Sequence, residues 1–456
     1  MHPCIHASMH PCKIIPTHFF FLSSYLPSFP ASQLPSLPPG CRRQKMNKKK
    51  IFYILLLMVL ILLVVVYFLF FFSRKPVEWT AENVLHPAAA PRISDAAEVE
   101  SLVCAIDNSL KYFERIEMGA EAEQSQPGMV SFGKERVPVS HIKESLLDFK
   151  AQLLRYGLTR EFFQYISQNY RFYQSAAREE VLFTGYFEAD LRGSLSPSAN
   201  YRYPLYRKPE DLYRVDLSSF SFFQKYQGLP RILRGRLSAD NRTIVPYYTR
   251  EEIDYRQILA DKGLEIVWID DPIDVFFLHI QGSGIVTLDN GETLRVNYDE
   301  SNGHPYYAIG RWLVQQGILT LENVSMQSIR QYLEQNPDKI EEIFITNPSY
   351  VFFRVVDEGP MGAIGVPVTA FRSIATDGYL FPKGAICYVE TQLPVFADRD
   401  KMTGWRAYSG FVLNQDTGGA IRGPGRVDLF MGYGKKSKLM AGHMKQSGTF
   451  YFLIKK

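Results

Sequence analysis

Three observations predict a mainly β protein with peripheral helices, preceded by one N-terminal transmembrane helix. Residues 51–72 form an unbroken apolar run of 22 residues. Between about 100 and 170, apolar residues recur at helical spacing. From Val181 onward, short apolar runs are divided by Gly, Pro, Asn and Asp, the texture of strands and turns.

Residues 1–45 are rich in Pro, Ser and His, lack acids and hold three of the five cysteines. The Met46-Asn-Lys-Lys-Lys that follows has the look of a translation start, so 1–45 is expected to be disordered or a misassigned start. His2, His6 and His10 with Cys4 and Cys12 match no defined metal spacing. Residues 46–75 are expected to form the membrane anchor. As a helix, the 51–72 run would reach roughly 33 Å, enough to cross a hydrocarbon core. Arg42, Arg43, Lys45 and Lys48 to Lys50 precede it, against Arg74 and Lys75 behind, which places the N-terminus in the cytoplasm and the large domain outside. A cleaved signal peptide would have a shorter apolar core ending in small residues, whereas this run ends F-F-F-S-R-K-P.

Residues 76–94 read as a linker containing Pro and Ala. Leu102, Ile106, Leu110 and Phe113 then share one helical face. A second helix carries Ile142, Leu146, Phe149 and Leu153 and stops at Gly157. Thr159 suits the N-cap of a third, with Phe162 and Ile166 inside. Strands are expected at Val181–Phe187, Val275–Gln281, Val351–Val356, Ile386–Glu390, Val427–Phe430 and Thr449–Ile454. Short helices are expected at Ala308–Gln316, closed by Gly317, and at Ser325–Glu334. No fixed-period repeat is visible, and the texture fits a barrel.

The formal charge of +4 hides an asymmetry. Residues 1–77 carry nine of the 51 Lys and Arg and no acid, leaving 42 bases against 47 acids beyond them. A basic nucleic-acid face is not indicated. Beyond the apolar run, His86, His141, His279, His304 and His443 form no paired metal motif, so no metal is expected. Gly282-Ser283-Gly284 lacks the spacing of a serine-nucleophile elbow. The glycine-rich stretch after Asp416 has neither the lysine of a phosphate cradle nor dinucleotide spacing, and no cofactor is expected. Cys104 and Cys387 read as separate small apolar residues.

Three aspartates carry the chemistry. Asp377 stands in A-T-D-G, and Asp416 and Asp428 bracket D-T-G-G-A-I-R-G-P-G-R-V-D-L-F-M-G. Each is compatible with a turn aspartate bonding its own backbone, but three in one glycine-rich context favour a site. Val427, Leu429 and Phe430 around Asp428 are expected to desolvate its carboxyl and favour the protonated acid. The single D-T-G is also the mark of an aspartic protease, but that chemistry needs two aspartates sharing a proton.

The stretch resembles the three-aspartate ("3D") region of the membrane-bound lytic murein transglycosylase A family. F-T-G-Y-F-E-A (Phe183 to Ala189), D-P-I-D-V-F-F-L-H-I-Q-G-S-G (Asp271 to Gly284), N-G-H-P-Y (Asn302 to Tyr306) and N-P-S-Y-V-F-F-R (Asn347 to Arg354) resemble further motifs of that family, in its order. No Cys stands directly after the apolar run, which departs from the family's usual lipid-modified cysteine.

The resemblance implies a double-psi β-barrel catalytic domain assembled from 95–186 and 343–456. A second β-domain, 187–342, would be inserted between them and form the other wall of a glycan groove. It implies a lyase acting on the β-1,4 bond between N-acetylmuramic acid and N-acetylglucosamine, leaving 1,6-anhydromuramic acid ends. Asp428 would be the acid/base. Asp416 would orient it or a sugar hydroxyl, and Asp377 would be structural. Thr184, Tyr186, Gln281, Ser283 and Tyr306 are candidates for sugar binding. The implied partners are peptidoglycan strands, the membrane through the N-terminal helix, and candidate cell-wall synthesis or remodelling proteins. The implied place is the envelope of a Gram-negative bacterium, with an inner-membrane anchor and a periplasmic catalytic domain. Two rivals stand beside this reading: a hydrolytic glycosidase using both Asp428 and Asp416, and a non-catalytic peptidoglycan-binding protein.

Overall fold

The structure is a computed structural model that describes residues 49, 52, 53, 55–62, 78–122, 128–176, 181–220, 232–397 and 401–456. It divides into two compact units, Met1–Val77 and Glu78–Lys456. In the first, the described residues are helical and their side chains exposed. Among the described residues no helix is long and apolar enough to cross a membrane. Residues 1–45 and the second half of the 51–72 run lie outside the described residues.

The second unit is mainly β with helices around it. In chain order it runs β1 (Leu85–Ala88), α1 (Val99–Ala122), β2 (Met129–Phe132), β3 (Glu135–Pro138), α2 (Val139–Tyr156), α3 (Arg160–Asn169), β4 (Tyr170–Ser175) and β5 (Val181–Ser194). Then follow β6 (Tyr203–Tyr206), β7 (Tyr213–Asp216), β8 (Ile232–Leu237), β9 (Ile244–Pro246), β10 (Glu265–Ile269), α4 (Pro272–Gln281), β11 (Ser283–Leu288) and β12 (Thr293–Ser301). The chain closes with α5 (Ile309–Gln315), α6 (Met326–Gln335), α7 (Ile340–Phe344), β13 (Val351–Val355), β14 (Ser373–Thr376), β15 (Ile386–Phe396), β16 (Met402–Thr417), β17 (Arg426–Tyr433), α8 (Gly434–His443) and β18 (Lys445–Lys455).

The three early helices fall where their periodicity puts them. Leu102, Ile106, Leu110 and Phe113 of α1 are buried, as are Ile142, Leu146, Phe149 and Leu153 of α2. Gly157 ends α2 at φ 62°, a left-handed turn that suits glycine. Thr159 occupies the N-cap of α3, and Phe162 and Ile166 are fully buried.

One expected strand is a helix. Val275–Gln281 belongs to α4, which has Asp271 at its N-cap accepting from the Ile273 amide, Pro272 in its first turn and Gly282 at its C-cap with φ 82°. Val275, Phe276, Phe277, Leu278 and His279 are all buried. A helix buried all round shows no polar stripe, so its run resembles a core strand. The terminal signals Asp-Pro and Gly decide it.

Among the described residues thirteen strands join one sheet. Within it β18, β15, β16, β14, β17 and β5 follow one another, and β18 pairs back to β5, so these six strands close a ring. Closure removes open edges and encloses the core. Phe183, Ile374, Val427, Leu429, Phe411 and Phe452 belong to that core. Strand β5 is long enough to pair on both sides along its length. Its first part pairs with β17 and β18 in the ring, and its second part pairs with β11 and β10. Cys104 and Cys387 are both free thiols.

Candidate functional site

Side chains alternate across a strand, so the sequence around Asp428 sorts itself by parity. Val427 and Leu429 point into the core and are fully buried. Arg426, Asp428 and Phe430 share the other face. The desolvation expected from Val427 and Leu429 therefore does not come from them. It comes from a small apolar cluster on the site face made of Tyr186, Val368, Ala375 and Phe430.

Registers assemble the site row. Ala375 of β14 faces Asp428 on β17 on one side and Asp416 on β16 on the other, and Asp428 in turn faces Thr184 of β5. Directly opposed residues share a face, so Asp416, Ala375, Asp428 and Thr184 lie in one line. Two strand spacings put the two aspartate backbones about 10 Å apart. One irregularity makes this possible. The β14–β16 register slips by one residue between Ile374 and Ala375, leaving Gln415 as a bulge. Without the bulge, Asp416 would point to the core face with Asn414.

The bulge is anchored. Gln415 is fully buried; its amide nitrogen donates to the Ala105 carbonyl (2.7 Å) and Ser109 Oγ (2.9 Å), and its oxygen accepts from Ser373 Oγ (2.5 Å). Asn414 beside it accepts from Thr376 Oγ1 and donates to the Pro382 carbonyl. Aspartic proteases carry apolar residues at these positions; here the two amides lock the strand.

The two carboxyls differ in what holds them. Asp416 Oδ1 accepts from the amides of Ala363 (2.9 Å) and Thr417 (2.8 Å), and Oδ2 accepts from the Tyr186 hydroxyl (2.9 Å). Burial outweighs these bonds and pushes its pKa up to about 6. Asp428 is also pushed up to about 6, chiefly by burial; a Thr184 hydrogen bond and Arg426 pull it down, and Asp416 raises it further. Asp428 Oδ1 is buried without a hydrogen-bond partner. Tyr186 packs on Phe430 at 5.1 Å, and burial together with both aspartates holds its phenol far above its usual range. It therefore stays a neutral donor.

Of the other candidates, Thr184 lies beside Asp428 and receives a long bond from Arg426 Nη2 (3.4 Å). Gln281 Oε1 accepts from the Phe187 amide (3.0 Å), which ties α4 to β5. Ser283 is buried at the start of β11. Tyr306 sits in the N-G-H-P-Y turn, its phenol raised by burial and lowered by the fields of Arg250 and Arg426. Asn302 in the same turn bonds the Tyr248 and Pro348 carbonyls and the Tyr350 amide. Asn347 accepts from the Tyr307 and Ser349 amides. Asp377 accepts from the amides of Tyr379 and Gly423. It thus holds the loop leading into β17 and stands outside the Asp416–Asp428 row.

Several contributors escape a reading by motif. Arg426 could be found by parity alone. Glu188 shares the Thr184–Tyr186 face of β5, fully buried and paired with Arg295 at 2.9 Å, but four residues place it about 13 Å along the strand from Thr184. The segment 357–368 supplies the Ala363 amide. It is pinned by Asn297 through both Met361 backbone groups, by Arg115 to the carbonyls of Ile364 and Gly365, and by Asn108 to the Pro367 carbonyl. Gly185 allows α8 to lie on β5, since a Cβ there would meet the Ala441 Cα at 3.0 Å. Among the described residues no cluster of His, Cys, Asp and Glu fits a metal ion.

Comparison with known proteins converges on one family. Residues 182–354 match the MltA specific insert domain, and residues 372–454 match the 3D domain. The membrane-bound lytic murein transglycosylase A of Vibrio cholerae is 29% identical over 281 residues, covering 60% of this chain and 65% of the relative. The matched part thus spans just under two thirds of that curated relative. A crystal structure of a membrane-bound lytic murein transglycosylase from Agrobacterium tumefaciens superposes with a TM-score of 0.59 at 27% identity, covering 80% of this chain and 98% of that one. Escherichia coli MltA with bound chitohexaose has the same fold, with a TM-score of 0.57 at 21% identity over 84% of this chain and 97% of that one. With both domain matches in order along β5 to β18, the chain is similar in sequence and fold to the membrane-bound lytic murein transglycosylase A family.

Proposed function

We propose that this protein is a peptidoglycan lytic transglycosylase in which Asp428 is the single acid/base. The observation that carries the reading is the contrast between the two carboxyls. Both carboxyls are pushed up to about 6, near enough to neutral to give and take a proton, but only Asp428 keeps a buried oxygen that no protein group bonds and that is left for substrate. Asp416 has three acceptor positions occupied by fixed donors, leaving little capacity to activate a water molecule.

Asp428 protonates the glycosidic oxygen, the bond to the anomeric carbon breaks, and positive character develops there. The resulting carboxylate then takes the proton from the C6 hydroxyl of the same sugar, which closes on that carbon. Hydrolytic glycosidases need a second carboxylate for nucleophile or water; here the substrate supplies the nucleophile, an intramolecular advantage. Asp416 and Tyr186 hold the row in place, and Thr184, Tyr186, Gln281, Ser283 and Tyr306 line the sugar path. The chitohexaose bound by the Escherichia coli relative supports a glycan ligand. The ring of six strands fits a double-psi barrel, with 187–342 as the opposite wall. Residues 51–72 anchor the protein in the inner membrane of a Gram-negative envelope; fractionation should find it with the membrane pellet at high salt.

Digestion of purified murein should release chains ending in 1,6-anhydromuramic acid, lighter by one water than hydrolytic products. Uptake of heavy oxygen from solvent into free reducing ends would overturn the reading and make Asp416 a second catalytic carboxylate.

A further inference from the structure

Arg426 is a cation on the face of the two aspartates, and the protein gives it almost nothing to hold. It stands two residues before Asp428 on the same face of β17, about 7 Å along the strand. Its Nε is buried without a partner, and its Nη2 makes only the 3.4 Å bond to Thr184. Among the described residues no carboxylate forms an ion pair with it at 4.0 Å or less. A half-buried guanidinium left unpaired is costly, and an acceptor arriving with a ligand offsets that cost. Tyr306, from the N-G-H-P-Y turn, lies within its field, so β17, β5 and that turn come together around the cation.

The ligand chemistry follows from the proposed reaction, on which this inference rests. The muramyl ring whose anomeric carbon meets Asp428 carries a lactyl ether two ring atoms away, and its N-acetylglucosamine neighbours carry none. In a strand stripped of peptide the acyl end of that ether is the one backbone substituent with a carboxylate oxygen pair, the geometry a planar guanidinium fork receives, and in an intact strand it offers a single carbonyl oxygen to one N–H.

We propose that Arg426 binds the acyl oxygens of the muramyl lactyl group and so selects lactyl-bearing strands over plain chitin-type glycans at the reacting ring. The acyl group is a carboxylate in strands stripped of peptide and an amide carbonyl in intact strands. Arg426 bonds both and the carboxylate more tightly.

The test uses the full protein carrying Asp428→Asn, which binds without turnover, alone and combined with Arg426→Gln or Arg426→Lys. Titration is made against peptide-free murein hexasaccharide, peptide-bearing hexasaccharide and chitohexaose, with thermal melting of each variant as the fold control. Arg426→Gln should weaken both murein ligands by about tenfold or more, the peptide-free one most, as expected for a lost charge-assisted bond. Affinity for chitohexaose should stay within about twofold on the same reasoning. Arg426→Lys, which keeps charge without the fork, should fall between. Equal losses on all three ligands, or no loss on the murein pair, would overturn the proposal. Failure of the lyase reading would appear separately, as wild-type digests lacking 1,6-anhydro ends.

Discussion

Replacing Asp428 by Asn should abolish cleavage and, above pH 6, make the protein more stable. The carboxyl moves from an ordinary value of 3.8 to about 6 on folding. A raised folded-state pKa means that the native state binds the proton more tightly than the unfolded chain does. The associated stability is fully present below pH 3.8 and is lost as pH rises through about 6. That span corresponds to about 3 kcal/mol at neutral pH. Asn does not titrate, so it escapes this loss, but its amide places donors where Asp428 Oδ1 finds no partner, at a cost of about 1 kcal/mol. The net gain at pH 7.5 is about 2 kcal/mol, or a melting rise of roughly 2–3 °C for a folded unit of this size. Asp416 titrates in both proteins and cancels to first order. Melting of wild type and Asp428→Asn should be followed from pH 4 to pH 8, with murein cleavage measured alongside. The variant should be equal or slightly weaker near pH 4 and pull ahead as pH rises through 6. A difference that is flat across pH, or a variant weaker at pH 7.5, would refute the argument that burial strains this carboxyl.

Asp416→Asn keeps an oxygen for the Ala363 and Thr417 amides, so it should leave measurable activity, with kcat lowered about tenfold to a hundredfold and KM little changed, as for loss of an orienting group. If Asp416→Asn were inactive and Asp428→Asn active, the acid/base roles would be reversed. Gln415→Ala removes three buried hydrogen bonds at the bulge. It should lower stability by about 3 kcal/mol in denaturant melts. It should also lower kcat by letting Asp416 turn from the row, and unchanged activity would show that the bulge does not need its anchor.

The parts of the site that lie on one strand were legible in the chain. Alternation in R-V-D-L-F puts Arg426, Asp428 and Phe430 on one face, and F-T-G-Y puts Thr184 and Tyr186 on one face of the neighbouring strand. Parity also corrects the naive use of flanking residues, since Val427 and Leu429 serve the core, while Phe430 and Tyr186 pack on the face that carries Asp428. Caps are equally readable: the apolar run Val275–Gln281 reads as a strand by its texture, but the Asp-Pro before it and the Gly after it hold the better signal.

Local chemistry is written residue by residue, so the sequence by itself determined the helical faces of α1, α2 and α3, the β texture beyond Val181, and the aspartates with their family. Only the tertiary structure decided that Asp416 and Asp428 flank the same Ala375, because that depends on which strands pair and on a one-residue slip at Gln415. It alone brought the Ala363 amide from one segment and Tyr186 from another onto opposite oxygens of Asp416. And it alone left Asp428 Oδ1 and Arg426 Nε without partners. Pairing, register and desolvation are relations between distant parts of the chain, which no single stretch of sequence can specify.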